Sequence, residues 1–208
     1  AADNREKREL FQNIERQGNA AEQLFEENNR RFNDALLVHD VGQAISSLMN
    51  ADEMLACVME VLKCRSGFDR GLVFLCDEQR TVLRYRTSYG CDAILRDRLA
   101  SLELELLGEA YNGPCVICFH RQAPILINDV AELVERLNPA SRALVEELSG
   151  ASLISVPISY KGEALGVLYM DNLERKAPLG QSQINLLTGV AQQIGISLVN
   201  LRSIEDLQ

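Results

Sequence analysis

The most suggestive chemistry in this 208-residue chain is the spacing Cys115-Val116-Ile117-Cys118 with His120 two residues on. Two thiolates separated by two residues can hold one metal ion or exchange a disulfide, and a neighbouring imidazole can add a third ligand. A closed tetrahedral zinc site needs a fourth donor, for which Cys91 and Asp129 are the candidates. Covalent c-type haem attachment requires adjacent Cys and His, and Cys118 and His120 are one residue too far apart. Three readings of Cys115, Cys118 and His120 therefore stand side by side: thiols buried in an apolar run, which is the simplest, a redox-sensitive pair, or a metal or haem contact. At 5% aromatic residues the chain is not favoured as a cage for a large flat cofactor.

Other chemistry is sparse. His39, the only other imidazole, sits in a long helical region where packing explains it better than catalysis, and neither histidine belongs to a nucleophile triad or a zinc-protease pattern. Gly150, Gly162 and Gly166 build no phosphate-binding loop, and no dinucleotide-binding glycine pattern is present. Asp129, Glu132, Glu135, Glu146 and Glu147 read as the solvated faces of helices. Asp171-Asn172 follows an apolar strand directly, where both side chains can cap or turn the chain. The chain is expected not to be an enzyme, and no covalently attached cofactor is expected.

Composition narrows the partners. Thirty acidic against 21 basic residues give a net charge of -9, with no Lys/Arg stripe, so nucleic acid and anionic membrane surfaces are repelled at long range. No segment reaches the roughly 20 consecutive apolar residues of a membrane span, and no signal-peptide pattern opens the chain. The cysteines Cys57, Cys64, Cys76, Cys91, Cys115 and Cys118 lie mostly in apolar runs, as thiols do in a reducing compartment, so a cytoplasmic location is expected. Hydrophobic content of 47% and a length of 208 residues suit one core with extra helices better than two domains.

The elements that would position these residues begin and end with helices. Phe11, Ile14, Ala21, Phe25, Phe32 and Ala35 fit the a and d positions of a heptad, with Gly18 and Asn28 as weak layers, so residues 1–35 are expected to form a coiled-coil helix that needs a partner. A second helix is predicted over 51–63, with Asp52 and Glu53 in its first turn. Runs 71–76 and 81–88 predict a hairpin through Asp77–Arg80, with Leu83, Tyr85 and Thr87 on one face and Arg84 and Arg86 on the other. Leu95 to Leu106 satisfies both helical and strand periods, and a helical or irregular stretch followed by a short strand at 102–106 is expected. Pro114 starts a short helix through Phe119, 124–128 is a short strand, and Asn138-Pro139 caps a helix ending at Leu148. Runs 152–159 and 163–170 flank a tight Tyr160-Lys161-Gly162 connection, the clearest hairpin in the chain. From Gln181 to the end the chain reads as helix, with Ile184, Leu187, Ala191, Ile194, Leu198 and Leu201 as a second association stripe. Apolar residues this close to the end, and a start at Ala1, are expected of a fragment of a longer chain, with 202–208 leading to an output domain.

The run Gly166–Leu173 (GVLYMDNL), the Leu186–Ile194 helix rich in Leu, Ala and Gln, the strand Ala151–Ile158 and the segment Ala123–Val130 together resemble a GAF domain over 36–201. That resemblance implies an α/β (α+β) fold with a central antiparallel sheet of about six strands, helices packed on one face, and long N- and C-terminal helices. It further implies a regulatory sensory module of a bacterial multidomain signalling protein, such as a sensor kinase, a nucleotide or diguanylate cyclase or a transcriptional activator. Such a module works as a parallel homodimer, here through Phe11, Ile14, Phe25, Phe32, Ile184, Leu187, Ile194, Leu198 and Leu201. A small-ligand pocket would lie on the sheet face opposite the terminal helices, with Tyr85, Tyr111, Cys115, Phe119 and Tyr169 as wall candidates. Cyclic-nucleotide-binding relatives carry an Asn-Lys pair where this chain has Asn172-Leu173, and bilin-binding relatives carry Cys-His where this chain has Pro139-Ala140, so neither ligand is expected. A ligand-free dimerisation domain and a cysteine-based redox sensor or enzyme are the alternatives.

Overall fold

The computed structural model describes residues 2–45, 50–108, 112–174 and 177–205. They divide into two compact units, Ala1–Leu36 and Leu37–Gln208. The first unit is helical, the leading part of α1 (Ala2–Ile45). It carries Leu24, Phe25 and Phe32 at 62%, 66% and 63% exposure, among charged and polar groups such as the Glu27–Arg31 pair one turn apart. The side chains of Phe11 and Ile14 lie outside the described residues.

The second unit opens with the end of α1 and continues through α2 (Ala51–Arg65), β1 (Arg70–Cys76), β2 (Val82–Tyr89), α3 (Ala93–Ala100), β3 (Glu103–Glu105), α4 (Pro114–Arg121), β4 (Ile125–Ile127), α5 (Val130–Val134), α6 (Pro139–Leu148), β5 (Ser152–Tyr160), β6 (Glu163–Asn172) and α7 (Gln181–Glu205). Its strands form one antiparallel sheet in the order β3-β2-β1-β6-β5-β4. This is the expected α+β sheet with long terminal helices.

Local chemistry accounts for the element boundaries. The Asn50 side chain accepts from the amides of Asp52 and Glu53 and so starts α2, while Lys63 and Arg65 sit in its last turn, where positive charge suits the helix dipole. The β1–β2 turn is tied by the Asp77 carboxylate, which accepts from the Thr81 amide and hydroxyl, each at 2.7 Å, and from the Val82 amide at 3.1 Å. Between β5 and β6 the two residues Lys161 and Gly162 both take positive φ, 48° and 82°, the pairing whose twist matches a two-residue hairpin. Pro157 lies past Ser155, where β4 stops pairing, so that side of β5 is open at the proline.

Both faces of the sheet are covered. On one, Leu37, Val41 and Ile45 of α1, Met54, Leu55, Val58 and Leu62 of α2, and Leu187, Val190, Ile194 and Leu198 of α7 pack with Val73, Ile154, Val156, Leu168 and Met170. On the other, Leu99 of α3, Cys115, Val116, Cys118 and Phe119 of α4, and Val145 and Leu148 of α6 pack with Leu72, Phe74, Leu83, Leu153, Val167 and Tyr169.

This arrangement corrects the expectation for α7. Leu187, Ile194, Leu198 and Leu201 are buried in the chain's own core and Ile184 is half-buried, so the stripe predicted to meet a second helix meets the sheet instead. A three-and-four repeat specifies one apolar face and is blind to what covers it. The contact is close: a Cβ at Gly195 would collide with the Ser159 carbonyl oxygen at the end of β5. Gly195→Ala is therefore expected to lift α7 locally and lower unfolding stability by about 1–3 kcal/mol, read as a reduced midpoint in urea unfolding.

Candidate functional site

The sheet face beneath α4 and α6 is where the candidate ligand residues gather. α4 begins at Gly113-Pro114, where proline occupies a first-turn position whose missing N–H costs nothing, and it ends at Gln122 in the left-handed conformation. Its inward side carries Cys115, Cys118 and Phe119, all buried. Cys115 and Tyr169 line one small cavity with Leu104, Val145 and Leu148. Its volume is about 20 Å³, room for roughly one water. Tyr85 and Phe119 belong to the same core but not to the cavity wall: Tyr85 packs edge-on to Phe74 at 6.3 Å and its hydroxyl lies 2.7 Å from that of Ser88. Tyr111 lies outside the described residues.

The Cys-x-x-Cys-x-His spacing is not assembled into a ligand set among the described residues, which hold no group of three or more His, Cys, Asp and Glu suited to a metal ion. The His120 ring nitrogen Nε2 instead lies 2.8 Å from the Leu106 carbonyl oxygen, and the ring stands edge-on to Phe119. Burial pushes the Cys115 thiol up to about 12, against a smaller opposing pull from the Ser155 hydroxyl. Burial and then the charge of Cys115 raise Cys118 as well. Both are neutral thiols at physiological pH, the unreactive form.

The polar centre of the domain is a buried assembly that sequence reasoning missed, joining Arg70 to Asp171 and Tyr169. Arg70, 4% exposed, and Asp171, fully buried, form a two-pronged ion pair: Arg70 Nε donates to Asp171 Oδ1 at 3.0 Å and a terminal guanidinium nitrogen donates to Oδ2. The same nitrogen donates to the Leu148 carbonyl, the last of α6, and the Tyr169 hydroxyl donates to Asp171 Oδ2 at 3.0 Å. Burial pushes the Asp171 carboxyl upward, opposed by Arg70 and by the Tyr169 hydroxyl. For Arg70 burial pulls down, and the hydrogen bond and charge of Asp171 outweigh it. Burial foremost, then the Asp171 charge, holds the Tyr169 phenol far above its ordinary value.

Asp171 and Asn172 thus neither cap nor turn the chain. They finish β6 in register with Leu153 and Ser152. The signal that could have revealed the pair is its symmetry: Arg70 opens one apolar run and Asp171 closes another, and antiparallel pairing of β1 with β6 sets the two directly opposite each other.

A family model, GAF domain, matches residues 50–198. The chain belongs to the GAF family. GAF domains are typically non-catalytic signalling modules. The chain is 27% identical over 164 residues to the Nif-specific regulatory proteins of Azospirillum lipoferum and Azospirillum brasilense, covering 78% of this chain and 25% of each relative. It therefore spans about a quarter of the length of these curated relatives. Among solved structures, the GAF domain from a phosphoenolpyruvate-protein phosphotransferase of Coxiella burnetii superposes with a TM-score of 0.68 at 19% identity, covering 84% of this chain and 98% of that one. Residues 122 to 287 of a methyl-accepting chemotaxis protein superpose with a TM-score of 0.65 at 23% identity, covering 79% and 98%. At these identities the likeness shows the GAF fold. Among the described residues one helical stretch, Gln181–Ser203, is long and apolar enough to cross a membrane by length and composition, but its apolar side is the face of α7 that completes the core.

Removing one partner of the buried pair strands the other. Asp171→Asn is expected to cost about 3–5 kcal/mol and Tyr169→Phe about 1 kcal/mol, a ranking to be read from denaturant unfolding of the two variants. For the thiols, exposed Cys64 is expected to react with a disulfide reagent at pH 8 within the mixing time, whereas Cys115 and Cys118 stay unlabelled until the protein is unfolded. Mass mapping of the labelled sites checks this.

Proposed function

We propose that this chain is a regulatory module that self-associates as a parallel homodimer through α1 and passes small-molecule or neighbouring-domain signals through its terminal helices to an output domain. The observation that carries the reading is the exposure of Leu24, Phe25 and Phe32 among the charged and polar side chains of residues 22–34. Phe25 and Phe32 are seven residues apart, the repeat of a helix seam. Covering a phenylalanine side chain gains about 1.5–3 kcal/mol, and a helix of this composition needs that gain to persist in water. Phe11 and Ile14 extend the same heptad. The names of the curated relatives and of the chemotaxis protein, all regulatory or signalling proteins, agree with a regulatory role.

The correction to α7 shifts the proposed seam onto α1. Leu187, Ile194, Leu198 and Leu201 serve the core, and among its described residues α7 leaves exposed Gln181, Asn185, Gln192, Ile196, Asn200, Arg202 and Ser203, with Ile196 the one large apolar group among them. The cavity of about 20 Å³ beneath α4 and α6 favours a second reading of the input. A cavity of that size holds no metabolite, so a dimerisation domain with an occluded interior, driven by a neighbouring domain, is the alternative.

Sedimentation velocity of the 208-residue chain at tens of micromolar tests the proposal. A dimer is expected, and Phe25→Ser with Phe32→Ser together should convert it to monomer without changing the unfolding midpoint of the second unit. A monomeric wild-type chain would remove the basis of the reading.

A further inference from the structure

The sheet face carrying the long helices holds a hollow much larger than the Cys115–Tyr169 cavity. A cavity of about 390 Å³ opens where the end of β1, the start of α2, the outward arginines of β2 and the last turns of α7 converge. That size falls at the small end of the roughly 300–1,000 Å³ typical of ligand sites. Its floor is apolar, from Leu75, Leu198 and Leu201, and its rim carries the guanidinium groups of Arg84, Arg86 and Arg202. Three arginines around one hollow run against the grain of a chain with a net charge of -9.

Two carboxylates, Asp52 and Asp77, also line the cavity, so its three arginines leave an excess of one positive charge. The Asp77 carboxylate keeps its charge but is held in place by the Thr81 and Val82 bonds that tie the β1–β2 turn. Arg86 pairs with Asp52 at 2.8 Å and Arg84 with Glu103 at 2.7 Å, both with the acid more than half exposed. Exposed pairs of this kind contribute little and are readily exchanged for a better acceptor. Arg202 has no ion-pair partner among the described residues. Its charge nevertheless reaches the strand edge, since it acts with Arg80 to draw the Cys76 thiol downward against the larger upward push of burial.

We infer that this hollow is a binding site for a small organic anion carrying two or more negative charges on phosphate or carboxylate groups, held by Arg84, Arg86 and Arg202 with its carbon skeleton against Leu198 and Leu201. Guanidinium groups match such oxygens in two-pronged geometry, and several around one pocket select for multiple charge. The site lies on the sheet face opposite the Cys115–Tyr169 cavity and is independent of it. Occupancy ties the C-terminal turns of α7 to β2 and α2, so the ligand would stiffen the end of that helix. Binding itself does not depend on the proposed dimer. Only its consequence for an output domain does.

Isothermal titration of the 208-residue chain with pyrophosphate and, separately, citrate tests the inference, with sodium chloride at matched ionic strength as the reference. Saturable binding of one or both anions is expected, and which of them binds more tightly assigns phosphate or carboxylate chemistry. Arg202→Gln, at an exposed position where folding is not at stake, should weaken binding at least tenfold. Arg86→Gln should do the same, with circular dichroism confirming the fold. Heats no larger than those of chloride, or binding undiminished in both variants, would overturn the site. Sedimentation run in parallel keeps the two proposals separable: anion binding to a monomer would sink the dimer and leave the site, and a dimer without binding would do the reverse.

Discussion

Strands β1 and β6 sit at the centre of the sheet with helices on both sides, and nearly every side chain on them is enclosed whichever way it points. Such strands cannot alternate between wet and dry faces, so any charge on them must be neutralised inside the protein. Arg70 and Asp171 meet that demand for each other, and Tyr169 and the Leu148 carbonyl take up the remaining bonds. The pair joins β1 to β6, and through Leu148 it fixes the end of α6, the lid over the Cys115 side of the sheet. A buried ion pair is not by itself a source of stability. What it provides here is register: only one alignment of the two strands sets Arg70 opposite Asp171, and any slip would leave two charges unpaired in the core.

That register decides which residues each sheet face presents, and so how the helices divide their work. Val73, Leu168 and Met170 face α7 and the end of α1, while Leu72, Val167 and Tyr169 face α4 and α6. α7 spends its densest apolar face on the sheet, with Gly195 allowing contact at backbone distance, and keeps a mostly polar surface outside. Leu37, Val41 and Ile45 bind the last turns of α1 to the same core. Phe25 and Phe32, earlier in α1, have no such burial.

The features legible in the sequence were those whose chemistry is local. Lys161-Gly162 specifies its own turn, Asn138-Pro139 and Gly113-Pro114 each announce a helix start, and the alternation Glu103-Leu104-Glu105 shows as an exposed edge strand with one buried residue. What escaped depends on residues far apart in the chain. Arg70 and Asp171 are separated by 101 positions, and nothing near either residue states that the other will be its partner. The α7 stripe was visible but ambiguous, because a helix packed on a sheet and a helix packed on a helix need the same spacing of leucines. The cysteine pair drew attention through its spacing, yet spacing carries no information about solvent, and burial is what keeps those thiols neutral.

The same distinction between local and distant determinants governs the arginines. Arg84 and Arg86 were readable as one face of a strand, but a strand face of arginines is ordinarily a solvated surface. It becomes a hollow only because α7 ends beside it, bringing Arg202 and two leucines from more than a hundred residues downstream. Close-packed cores transmit force as discrete shifts rather than smooth bending. α7 is seated in such a core as far as Leu201, so an anion bridging β2 to Arg202 acts at the point where that seat ends.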